Sequence, residues 1–272
     1  MSRTGYQREQ RSKRGLKFYE ASHRYRLDGE WVPGVTTILG VLNKPALPKW
    51  AAGAVAEYVA DHREHVEHLY AAGRGPMVAA LKEMPWQRRD DAAERGTRFH
   101  EYAERIARGE EVDVPDHMVP LVENALAFME DYDVEPLELE IACGSREHQY
   151  AGTADLIADS KIGRAIWDWK SGKRIYPEFA FQLNAYAFAE FHGLDGDERP
   201  IPEGIEAAYG VHVRADGYDV VPLEFGRHVF EEFLTIRRAY DIKKRADGDW
   251  RRPGTGYVGV AHQLDDSEGA VA

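Results

Sequence analysis

Between residues 137 and 170 three short runs of strand-type residues follow one another closely: LELEIACG (137–144), YAGTADLIA (150–158) and RAIWDWK (164–170). The connections between them leave room for little more than a turn, so these runs demand a sheet. A helix is expected at about 177–192. Two further strand candidates, GIEAAYGVHV and GYDVVPLEF, flank Ala215-Asp216-Gly217, and a helix over about 227–245 closes the pattern. Three strands, a helix, two strands and a helix predict an α/β domain with a central mixed β-sheet flanked by helices.

The half before Pro136 reads differently. Residues 18–33 alternate polar and apolar about Asp28-Gly29, a favoured tight-turn dipeptide, and predict a β-hairpin. Helical periodicity follows in TTILGVL, in PKWAAGAVAEYVADH with Pro48 at the first helical position, and across about 89–108 and 116–131. The chain divides into a basic disordered arm (1–17), a hairpin and helical region (18–90), an α/β core (91–250) and a flexible tail (251–272). No internal repeat is visible.

Composition narrows the function classes. At 272 residues and 43% hydrophobic content, the chain can bury a sizeable core. No stretch reaches the roughly 18 apolar residues of a membrane span, and the start lacks the apolar segment of a signal peptide, so a cytoplasmic protein with no membrane partner is expected. The single cysteine, Cys143, excludes an internal disulfide and an iron–sulfur cluster or multi-thiolate zinc site held by this chain alone. It reads as a small buried thiol. A net charge of −12 argues against broad polyanion binding, yet residues 1–17 hold six basic groups against one acid and residues 237–252 seven against three. A polyanion could be gripped locally, at an arm or groove, with salt sensitivity.

Within AIWDWK, alternation places Asp168 and Lys170 on one face and Trp167 and Trp169 on the other. The tryptophans suit the core. The carboxylate and ammonium suit a hard divalent cation beside a water or phosphate oxygen. If the preceding strand pairs with this one through a turn near 159–163, Asp155 approaches Asp168, and two crowded carboxylates call for a cation. The pattern acidic-x-Lys occurs three times, at Asp159, Asp168 and Asp241, but only the middle copy has strand context. In ERGTRFHEYAERIARG, Gly96, His100 and Glu104 share one helical stripe, with Gly96 permitting close approach of another backbone. In EFAFQLNAYAFAEF, Gln182 and Tyr186 stand one turn apart on a face able to look back at the strand carrying Lys170.

The ordered set G-x-x-x-H, G-T-x-D-L, D-x-K and Q-x-x-x-Y, over about residues 96–186, resembles the RecB-like branch of the PD-(D/E)XK nucleases, the branch of lambda exonuclease and of phage-encoded recombination exonucleases. VPGVTTILGVLNKPALPKW is also similar to N-terminal regions of phage members. The resemblance implies a restriction-endonuclease-like core and a metal-dependent DNA exonuclease of phage recombination, repair or replication. It implies that His100, Asp155 and Asp168 bind Mg2+ or Mn2+, with the backbone carbonyl of Trp169 as a further ligand. Lys170 would orient the attacking water and stabilise charge on the phosphate, and Gln182 and Tyr186 would support the site and contact the DNA. Glu140 is a candidate additional acidic ligand, with Glu138 as its rival on the same face. Lys173 and Arg174 follow closely enough to hold a phosphate. The partners implied are DNA and a phage single-strand annealing protein, with the oligomeric state open.

Other readings stand beside this one. His62, His65 and His68 in DHREHVEHLY recur every third residue and could suggest a zinc hydrolase, but helical geometry spreads them over about 120° without an i, i+4 pair. A structure-specific endonuclease, a catalytically silent DNA-binding or assembly module and a virion structural protein are the remaining alternatives. No G-x-x-x-x-G-K-[ST] motif occurs, so any unwinding would come from a partner.

Overall fold

The computed structural model describes residues 14–42, 44 and 46–247. Residues 1–13 of the expected arm and the whole expected tail, 251–272, lie outside it. The chain enters through a three-stranded antiparallel sheet of β1 (Leu16–Tyr19), β2 (Arg24–Leu27) and β3 (Glu30–Val32). Asp28 and Gly29, at φ 51° and 91°, make the predicted tight turn between β2 and β3. One strand more than the hairpin is present, because β1 starts inside the stretch assigned to the arm and pairs Leu16 with Leu27. Leu16, Tyr25, Leu27 and Val32 pack against Ala142, Ala151 and Phe191.

Helices follow: α1 (Val35–Leu39), α2 (Ala46–Asp61), α3 (Arg63–Ala71), α4 (Arg74–Ala107) and α5 (Val119–Asp131). Pro48 is the third residue of α2 rather than its first, still within the turn whose N–H groups have no intrahelical acceptor. The largest departure is α4, which begins well before the expected residue 89 and runs through Pro85. Proline deletes one helical hydrogen bond, but Met84 and Pro85 are buried and Arg88 reaches Glu57 of α2, so tertiary contacts carry the helix past the break.

The main sheet holds β4 (Glu135–Ser145), β5 (Tyr150–Asp159), β6 (Ala165–Lys170), β7 (Phe191–His192), β8 (Ala207–Arg214) and β9 (Gly217–Leu223), in the order β7-β4-β5-β6-β8-β9. Only β6 and β8 run parallel, joined through α6 (Glu178–Ala187), so the sheet is mixed, as the element order predicts. Helix α6 stops at Ala187 rather than reaching 192, because Phe191 and His192 instead pair with the free edge of β4 at Gly144 and Cys143. Helix α7 (Arg227–Ala246) closes the fold.

Helices cover both faces. On one, Ile38 of α1, Leu183 of α6 and Phe230 and Phe233 of α7 bury Ile157 and Ile166. On the other, Phe99 of α4 and Phe128 of α5 bury Leu156, Trp167 and Trp169. Cys143 is fully buried in the first of these cores. Among the described residues no helix is long and apolar enough to cross a membrane.

Candidate active site

The β5–β6 hairpin sets the site. Its ladder is paired from Ala158↔Ala165 to Leu156↔Trp167. One step beyond, the strands part, and the N–H of Trp169 turns to the side chain of Asp155, donating to Oδ2 at 2.9 Å. Trp167 and Trp169 are buried on the α4/α5 face, which fixes Asp168 and Lys170 on the other. Strand alternation therefore delivers the carboxylate and the amine together, as expected from the sequence.

Asp168 is almost wholly buried. Its Oδ2 meets the ammonium of Lys170, and its Oδ1 accepts from Gln182 Nε2 at 3.3 Å. The same Nε2 donates to the Tyr186 hydroxyl at 3.3 Å. Gln182 and Tyr186 are themselves only 8% and 3% exposed, so they brace Asp168 from inside the fold. Tyr186 offers no surface for the DNA contact that the motif resemblance implies. Its ring lies instead on Gly152, where an added Cβ would stand 3.1 Å from Tyr186 Cζ and closer still to Cε1. The glycine of G-T-x-D-L thus exists for the tyrosine of Q-x-x-x-Y.

From α4, His100 places Nδ1 3.2 Å from Asp155 Oδ2. Glu140 of β4 completes the group: one ligand atom each from His100, Glu140 and Asp155 all fall within 4.8 Å of one another. This separates the two glutamates, since Glu138 lies 3.7 Å from His192 Nε2 instead. Glu140 also sits at φ 49°, a left-handed conformation that costs an L-residue roughly 1–2 kcal/mol. The strand kinks there, and two glutamates that a regular strand would point the same way take different partners. Sequence alternation could not reveal that.

The electrostatics are strained. Burial and the neighbouring Asp155 push Glu140 up to about 8. Burial pushes Asp168 up to about 6, against the pull of Lys170. Burial also works against charge on Asp155, but His100, Lys170 and the Trp169 N–H outweigh it and hold Asp155 below the ordinary carboxylate range. For Lys170, burial would lower the pKa, yet Asp168 and Asp155 raise it overall, so the amine stays protonated. His100 follows the same balance, raised by Asp155 against its burial. Three carboxylates share one lysine and one histidine. His100, Glu140 and Asp155 are placed so that together they could hold a metal ion.

The site opens into a groove of about 280 Å³ whose lining includes Arg95, Gly96, His100, Leu121, Lys170 and Ser171. Gly96 does not admit another backbone, as its spacing suggested: a Cβ there would meet only Ser171 Oγ at 3.9 Å. Its lack of a side chain keeps the groove open. Glu104, on the same helical stripe, pairs with Arg108. Lys173 and Arg174 stand exposed on the loop after β6, with the Arg174 guanidinium 4.7 Å over the Tyr176 ring. Arg95 escaped the sequence reading, although it adjoins Gly96, because nothing in spacing separates it from the other arginines of α4.

The histidines of DHREHVEHLY form no cluster. His62 precedes α3 and stacks on Tyr58 at 4.4 Å, while His65 Nδ1 meets the Tyr58 hydroxyl. Among the described residues, only His100, Glu140 and Asp155 gather as three candidate metal ligands. No family model matches the chain, and none of the curated proteins matches it in sequence.

Proposed function

We propose that the protein is a metal-dependent deoxyribonuclease of the PD-(D/E)XK type, acting as an exonuclease. The observation that carries this is that Glu140, Asp155 and Asp168 gather around His100 and Lys170, which line an open groove, with burial raising Glu140 and Asp168. His100, Glu140 and Asp155 would hold Mg2+ or Mn2+, joined by Asp168 and the Trp169 carbonyl. A bound cation supplies Lewis acidity and lowers the pKa of water.

The chain's own residues account for the rest. Lys170, held protonated by Asp168, places a positive charge at the groove to meet the phosphate and orient the attacking water. Its proton makes it an electrostatic stabiliser rather than a general base. The Phe179 ring, 4.7 Å from Lys170 Nζ, covers the amine on one side. Gln182 and Tyr186 are positioning residues that hold Asp168. Lys173 and Arg174 would take phosphates further along the strand. The reading extends to phage recombination, repair or replication in a host cytoplasm, with a single-strand annealing protein as partner. That extension rests on motif resemblance alone, and pull-down from the native host tests the partner.

End-labelled linear DNA and covalently closed circular DNA, each with Mg2+, Mn2+ or EDTA and alongside Lys170→Ala, test the activity. Metal-dependent loss of linear DNA that the variant lacks, with the circle intact, is the expected result. Cutting of the circle would make it an endonuclease. Binding of both DNAs without cleavage would leave a silent DNA-binding module.

A further inference from the structure

The groove contains a cation that the nuclease reading does not use. Along α4 and at its C-cap, Arg88, Arg89, Arg98, Arg105 and Arg108 each face a carboxylate within 4.0 Å, namely Glu57, Asp90, Glu94, Glu110 and Glu104. Arg95 on the same helix is exposed, lines the groove beside His100 and Lys170, and has no carboxylate or hydrogen-bond partner among the described residues. Arg74 at the start of α4 is also unpaired, but of the arginines from residue 88 to 108 only Arg95 is bare among the described residues, and it stands where the groove opens.

Ser171 lines the same groove as Arg95, its Oγ 3.9 Å from where a Cβ on the neighbouring Gly96 would stand, and its hydroxyl also has no partner among the described residues. The loop bearing Ser171 is anchored. His212 Nδ1 accepts from Arg214 Nη1 at 3.2 Å, which leaves Nε2 as the donor to the Gly172 carbonyl at 2.7 Å. A forked guanidinium and a free hydroxyl lining one groove, one on a long helix and the other on a tethered loop, suit the oxygens of a tetrahedral anion.

We propose that Arg95 and Ser171 form a phosphate subsite that binds the nucleic-acid phosphate adjacent to the one under attack. The site thereby reads at least two consecutive phosphates of one strand. This rests on the nuclease reading, since it is the metal ligands and Lys170 that define which phosphate is attacked.

The test uses the full chain with Arg95→Ala, Arg95→Gln and Arg95→Lys. Binding to a labelled oligonucleotide is measured over a salt series with Ca2+ in place of Mg2+, together with KM and kcat on linear DNA with Mg2+. The Mn2+-induced rise in melting temperature reports the metal site. Arg95→Ala and Arg95→Gln are expected to weaken binding and raise KM about tenfold, and to lower the log–log salt slope by about 1. Arg95→Lys should restore the slope but only part of the affinity, and the Mn2+ response should stay as in wild type. If the wild type cleaves DNA and Arg95→Ala matches it in KM and salt slope, the subsite is wrong and the nuclease reading stands. Loss of the Mn2+ response in the variants would make Arg95 a support of the metal site and also overturn the subsite. If the wild type neither binds nor cleaves DNA, the nuclease reading falls and takes the subsite with it.

Discussion

At the turn joining β4 to β5, Arg146 donates to Asp28 at 2.7 Å and to Glu198 at 2.6 Å and lies 4.5 Å over the Phe191 ring. Elsewhere on the same sheet, Glu140 of β4, Asp155 of β5 and Asp168 of β6 share Lys170 and, from α4, His100. Both clusters hold more carboxylate than cation, but only the second, Asp155 apart, holds carboxyl groups raised above their ordinary range. Around Arg146 the groups are partly open to water and each carboxylate receives a guanidinium N–H, so the hydrogen bonds from Arg146 hold Asp28 below its ordinary range. Around Lys170 the groups are buried, and Glu140 and Asp168 are pushed up to about 8 and about 6. The first cluster ties the N-terminal sheet to the main one. The second keeps buried carboxyl groups whose charged form the fold disfavours.

The widest separation between the clusters should come from activity. Lys170→Ala and Asp168→Asn are expected to lower metal-dependent DNA hydrolysis by about 10²–10⁴-fold, while Arg146→Ala leaves it within about twofold. Initial rates on labelled linear DNA decide this. Equal losses in all three would show that the Lys170 cluster has no special role.

Gly152→Ala probes the packing under the second cluster. Its new methyl must displace the Tyr186 ring, which holds Gln182 and through it Asp168. Overpacking of this kind costs about 1–3 kcal/mol, so thermal melting should fall by several degrees and activity should fall with it. An unchanged melting temperature would mean that Tyr186 is free to move, and that Asp168 is not held from behind as described.

Glu140→Gln separates stability from binding. It removes a carboxylate that burial disfavours, so in EDTA the variant should melt about 2–4 °C higher than wild type, the shift expected for about 1 kcal/mol in a chain of this size. The rise in melting temperature on adding Mn2+ should shrink or vanish. If Glu140→Gln lowers stability in EDTA, the glutamate is a structural residue and the comparison collapses.

How much of this was legible beforehand depends on range. Alternation within AIWDWK places Asp168 and Lys170 correctly, because strand period is a local property and the tryptophans declare the core side. The hairpin assumption also brings Asp155 to Asp168. The choice of Glu140 over Glu138 was not legible, since it depends on a left-handed residue inside a strand, which no glycine or asparagine marks. The length of α4 was hidden by Pro85, whose local cost is offset by burial that only the tertiary fold supplies. The short strand β7 looked like the end of α6, because two residues carry no period and only the open edge of β4 recruits them. Arg95 was invisible for a related reason: its significance lies in the absence of a partner, a statement about distance rather than sequence.

The smallest effect belongs to the Arg146 cluster and carries a sign. Arg146→Ala should cost about 1 kcal/mol at neutral pH, the scale of partly exposed ion pairs together with a cation–π contact. Asp28 is held below its free value of 3.8, so the folded state binds fewer protons there than the unfolded chain. That contribution is complete above the free value and disappears as pH falls through the lower folded one. The difference between wild type and Arg146→Ala in urea unfolding should therefore be constant from about pH 5 to 8 and narrow below about pH 4. A difference that widens in acid would show that Asp28 is not held by Arg146, and the distinction between the two clusters would reduce to burial alone.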